Sequence, residues 1–173
     1  MTTANNESKE ALFEEKVASG DLAAMARYLA AAIQGEHSAE ELMRRYDLVW
    51  NADHGYDAMV LRKLATTAAA AKEFARTEAI AMDLFDSMYL ADSYHCALAM
   101  IKYGGPVQEE IANKILFRLD QRGHIPSQYT LRRNSLESRK FPGNIAFLFF
   151  RISKVIQAGI ILAKNPKDPR AEM

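Results

Sequence analysis

Cys96 directly follows His95, which puts a thiol and an imidazole side by side, the two groups that a nucleophile and its base require. Consecutive residues on a helix point about 100° apart, so these two do not face each other, and Cys96 reads instead as a small buried residue. His37, His54 and His124 form no i, i+4 pair on one helix, and His54 and His124 adjoin Gly55 and Gly123, where turn and cap duty suits them. As the only cysteine, Cys96 excludes an internal disulfide and a multi-cysteine zinc site. The chain has no phosphate-cradling glycine loop, no GxSxG elbow and no HExxH pair. The carboxylates cluster at Glu10, Glu14 and Glu15, at Glu40 and Glu41, and at Glu109 and Glu110, in or near first helical turns, where the macrodipole favours negative charge. No catalytic residue, metal or cofactor is therefore expected, and an enzyme built on an irregular helical bundle is the third-ranked expectation.

Charge narrows the partners. Lys plus Arg and Asp plus Glu each total 22, so no overall basic field points to nucleic acid. The distribution is uneven. From Arg132 onward there are nine basic residues and three acidic ones, which leaves the last quarter basic and the rest acidic. The opening MTTANNESKE lacks the apolar stretch of a signal peptide, so the expectation is a cytoplasmic protein, with membrane association as the alternative.

The elements that must position these groups are helical. Ala, Leu, Met, Glu, Lys and Arg dominate the middle of the chain, and strand-like alternation is absent. Ser8, Asp21, Ser38 (with Glu41 as a capping box) and Gly105-Pro106 mark starts, and Gly20, Gly55 and Gly123 mark stops where a left-handed cap is cheap. The expected helices are 9–18, 21–33, 39–53, 56–72, 75–91, 93–103, 107–122, 126–136 and 144–164. A polar tail (1–8), a helical-repeat region (9–143), a C-terminal helix (144–164) and a second polar tail (165–173) make up one domain. The aromatic residues, Trp50 and the tyrosines at 46, 56, 89, 94, 103 and 129, recur near the turns and read mostly as core.

Self-comparison adds a period. Small residues at Ala24, Ala58, Cys96 and Ser127 lie 34, 38 and 31 residues apart, and each is preceded, eleven and twelve positions earlier, by Leu12-Phe13, Tyr46-Asp47, Leu84-Phe85 or Ile115-Leu116. A small residue at a crossing lets two helices approach while large neighbours fill the groove beside it. Together with Gly20-Asp21-Leu22-Ala23-Ala24-Met25, Ala52-Asp53-His54-Gly55, Gly104-Gly105-Pro106-Val107 and the run from Gln121-Arg122-Gly123 to Gln128-Tyr129, this resembles the Sel1-like branch of the tetratricopeptide repeat family over roughly residues 10–136. The Gly-x-Gly-Val loop is recognisable once, and Asp92 stands where a third glycine would fall. The resemblance implies an all-α fold of antiparallel helix hairpins stacked as a short α-solenoid, closed by a long apolar C-terminal helix. An irregular helical bundle is the alternative.

The function this implies is a protein-protein interaction adaptor or scaffold that holds a protein or peptide on its concave face. Arg27, Tyr28, Arg62, Lys63, Lys102 and Tyr129 are the partner-binding candidates, the cations for charge-assisted contacts and the tyrosines for rigid contact area. The C-terminal helix supplies the alternative, a membrane-proximal regulatory or assembly factor. Its apolar residues run from Ile145 to Ala163, about a bilayer's hydrocarbon thickness, but two internal cations would cost about 2.5–3.5 kcal/mol each near the centre. Docking on an anionic membrane surface or a membrane protein would use Arg132, Arg133, Arg139, Lys140, Phe147, Phe150, Arg151 and Lys154. Closure of the repeat stack is the favoured role, with Arg151, Lys154 and Gln157 turned to water.

Overall fold

Nine helices and no strand form among the described residues of the computed structural model, which are 3–35, 37–137, 143–166 and 168–170; side chains are described for 11–35, 37–133, 150–166 and 168–170. The helices are α1 (Thr3–Ala18), α2 (Leu22–Gln34), α3 (Ala39–Asn51), α4 (Ala58–Ala70), α5 (Phe74–Asp86), α6 (Leu90–Tyr103), α7 (Pro106–Gln121), α8 (Ile125–Glu137) and α9 (Gly143–Lys164). All nine expected helices are present. α1 starts at Thr3, however, so Ser8 lies inside it rather than capping it.

Caps account for several of the boundaries. The Asp21 and Asp57 carboxylates accept from the backbone N–H of Ala24 (3.0 Å) and Val60 (2.9 Å), and Ser38 Oγ accepts from that of Glu41 (3.2 Å). Only that half of the Ser38 box is built, because Arg44 (2.8 Å) and Arg45 (2.7 Å) take the Glu41 carboxylate. Gly20 and Gly123, just past α1 and α7, have φ of +83° and +80°, the left-handed geometry that glycine adopts cheaply, whereas α3 ends on an extended Ala52 and the expected stop Gly55 (φ +54°) lies in the loop beyond it. Lys72 and Met88 adopt it too, at φ 69° and 67°, and thereby end α4 and α5 without a glycine to announce the turn.

Each helix packs on its successor from α1 to α9, and α1 also meets α3, α2 meets α4, α4 meets α6, and α5 meets α7. One continuous core, including Met25, Leu29, Leu64, Leu84, Met100 and Leu116, runs from α1 to α7. At two crossings a small hydroxyl reaches a neighbouring backbone: Thr77 Oγ1 donates to the Ala65 carbonyl (3.1 Å) and Ser93 Oγ to that of Ala81 (2.8 Å). Both residues are fully buried, so the bonds satisfy groups that would otherwise cost free energy. Ala24, Cys96 and Ser127 are buried as expected of crossing residues, but Ala58 is half-exposed at the first position of α4. Ala65 and Ala68, roughly two and three turns later, are fully buried instead.

α9 packs on α8 and leaves much of its own apolar surface uncovered. Among the described residues its extensive packing is on α8 alone, and the returning chain end anchors the pair, since Ile125 N–H donates to the Arg170 carbonyl (2.8 Å). Phe150, Lys154, Ala158 and Ile161 are half-buried, a stripe at helical spacing on the side that meets α8. Lys154 is half-buried, with its ammonium donating to Gln157 Oε1 (2.8 Å) in an exposed bond, while Ile152, Val155, Ile156 and Ile160 are 49%, 67%, 57% and 53% exposed. The physical reason is that α9 offers apolar residues almost all round, so packing on one helix cannot cover them. Among the described residues, no helix is long and apolar enough to cross a membrane.

Candidate binding surfaces

Three of the six partner-binding candidates converge. Arg62 and Lys63 of α4 and Lys102 of α6 line a cleft of about 520 Å³. Ile33 of α2, Thr66 of α4 and His95, Leu98, Ala99 and Tyr103 of α6 complete its walls, so the cleft lies across the face shared by α2, α4 and α6. Helical spacing explains the grouping: Arg62 and Thr66, and likewise His95, Ala99 and Lys102, are separated by three or four residues and project from one side of their helix.

The cations differ in how committed they are. Arg62 holds Asp92 of α6 at 3.1 Å, and Asp92 is pushed above the ordinary carboxylate range by burial, with Arg62 opposing the rise. Lys63 and Lys102 have no carboxylate within ion-pair distance among the described residues, and the Lys102 ammonium rests 4.8 Å from the centre of the Tyr103 ring. Lys72 Nζ donates to the Tyr103 carbonyl and brings a further cation to the same end of α6. The cleft therefore joins a positive field to apolar side chains, a combination that suits a carboxylate-bearing ligand with an apolar anchor.

Tyr28 is not at the surface. It is 3% exposed, because α2 is covered by α1, α3 and α4. Its hydroxyl donates to Glu14 of α1 (3.0 Å), Glu14 accepts from Arg44 of α3 (2.8 Å), and the Arg45 guanidinium lies 4.7 Å over the Tyr28 ring. Burial foremost, with the bond to Glu14, pushes the phenol up to about 12. Arg27 is exposed on α2 away from the cleft walls.

Tyr129 lines a second cleft, of about 620 Å³, between α8 and α9, and two of the docking candidates, Arg151 and Lys154, join it there. Its other walls are mostly apolar, among them Ile125, Pro126, Val155 and Leu162. Arg132 and Arg133 are exposed on α8, and the Arg132 guanidinium lies 5.1 Å from the centre of the Phe150 ring. Arg139, Lys140 and the Phe147 side chain lie outside the described residues.

His124 Nδ1 and Ser127 Oγ are 2.7 Å apart, the separation of a base and its nucleophile, yet both residues are fully buried, so no substrate can reach the pair. The contact joins the residue just before α8 to a side chain in its first turn. Cys96 is buried, and burial first of all pushes its thiol up to about 12, away from a reactive thiolate. Among the described residues, no three His, Cys, Asp or Glu side chains gather as a metal-ligand set.

One surface escaped sequence reasoning. Tyr56, Met59, Met88 and Tyr89 are all more than two-fifths exposed, with the two tyrosine rings 5.8 Å apart and Tyr56 Oη donating to Ser87 Oγ (2.9 Å). Recurrence of tyrosine near turns is the available signal, and it marks core and surface positions alike. The chain matches no protein-family model, no curated protein and no solved structure.

Proposed function

We propose that the protein is an adaptor that binds a partner protein through an acidic segment laid in the cleft between α4 and α6. The observation that carries this is the meeting of Arg62, Lys63 and Lys102 around Ile33, Leu98 and Tyr103, in a chain whose formal net charge is zero. A local positive field on a neutral molecule steers a negatively charged segment to one face. Two of the cations have no carboxylate partner among the described residues, so a ligand meets little competition for them.

The architecture agrees with a binding role. The next-but-one contacts, α2 with α4 and α4 with α6 on one side and α1 with α3 and α5 with α7 on the other, support stacked hairpins forming a short Sel1-like solenoid. In that arrangement the cleft lies on the row of α2, α4 and α6, where a solenoid presents its concave face.

The test is capture from the protein's native cells with the wild type and with a Lys63→Glu, Lys102→Glu double variant. Partners carrying acidic segments should be retained by the first and weakened at least tenfold for the second, a loss of about 1.4 kcal/mol or more. Equal retention by both would reject this cleft as the binding site.

A further inference from the structure

We propose that α9 docks in the plane of an anionic lipid bilayer through its outer face. At 100° per residue the exposed apolar side chains run from Leu162 through Val155, Ile152 and Ile156 to Ile160, an arc of roughly 160°. The rims of that arc are cationic. Arg151 lies just beyond Leu162, Lys164 just beyond Ile160, both are exposed, and α9 contains no acidic residue. The opposite side is already used, because the stripe from Phe150 to Ile161 meets α8.

This order of packed side, cationic rims and apolar outer arc is that of a helix lying at a headgroup boundary, with alkyl side chains entering the acyl region and cations level with the phosphates. Val155 and Leu162 also line the apolar cleft against Ile125 and Pro126, so the apolar surface continues past the helix edge onto α8. The exposed Arg132 and Arg133 extend the positive charge along α8. A negatively charged bilayer complements every one of these features.

A second copy of the chain fits worse. Two such faces brought together would oppose Arg151 and Lys164 with like charges and with no carboxylate on either helix to offset them. The arc is also small beside the 20–30 residues per partner of an ordinary stable interface.

The experiment is flotation of the full-length protein with phosphatidylcholine vesicles, with and without phosphatidylserine, alongside sedimentation velocity in the absence of lipid. The wild type should float with the anionic vesicles, weakly or not at all with the neutral ones, and less as salt rises. Ile156→Glu should abolish flotation without lowering the melting temperature, since Ile156 is 57% exposed. Arg151→Glu with Lys164→Glu should weaken binding by on the order of tenfold or more, at about fivefold per cation lost. The proposal is overturned if the wild type does not float, if Ile156→Glu floats equally well, or if sedimentation finds a dimer that this substitution dissolves and lipid does not bind.

Discussion

Glu41 shows how much a few side chains decide. Held by Arg44 first and Arg45 next, its carboxyl drops from an ordinary 4.5 to about 2, and Glu14 is lowered as well, chiefly by Arg44. A depressed folded-state value means that protonation costs the folded form more than the unfolded one. The stabilisation is therefore complete above the ordinary carboxylate range and is lost as pH falls from about 4.5 toward about 2. Melting temperature followed by circular dichroism should be flat from neutral pH to the mildly acidic range and then fall, and Glu41→Gln should cost about 1 kcal/mol at neutral pH and flatten that fall. A second residue-scale expectation concerns Met88, which is exposed and has φ 67°. Met88→Gly should raise stability by about 1 kcal/mol in denaturant titration, because a left-handed backbone costs a side-chain-bearing residue about that much. Sequence alone foretold the burial of Cys96, but it misplaced Tyr28. Local spacing shows which face of a helix a residue occupies, whereas α2 is covered on several faces by helices that lie near and far along the chain.

Among the elements, the helices were legible because their signals are local. Asp21, Ser38 and the glycines at 20 and 123 each act within one turn of themselves. The small-residue register was less so: it matched Ala24, Cys96 and Ser127 and failed at Ala58, because spacing in sequence does not fix how far one helix slides along another. The overpacking test therefore belongs at Ala65, fully buried on α4, with the Thr77 hydroxyl on its carbonyl. Ala65→Leu should lower stability by about 1–3 kcal/mol, and Ala58→Leu by much less, in paired thermal melts. α9 exposed another limit. A helix that is apolar nearly all round does not reveal from its own sequence which stripe faces protein, although Arg151 and Gln157 are exposed as their spacing suggested.

For the molecule as a whole, balanced totals of charge conceal two positive surfaces, the α4–α6 cleft and the rims of α9. The residues of the first were legible one at a time, as cations on helices judged to share a face. Their meeting was not, since it depends on α4 packing against α6 across the intervening α5. The proposed function rests on that meeting, so the most direct measurement is a titration of the isotope-labelled protein with a short acidic peptide bearing one aromatic residue, followed by NMR at low and high salt. The account predicts saturable shifts confined to residues around Ile33, Lys63, His95 and Lys102, weakened by salt and removed by Lys63→Glu with Lys102→Glu. Shifts centred elsewhere, or none at a peptide concentration that saturates ordinary micromolar sites, would contradict it.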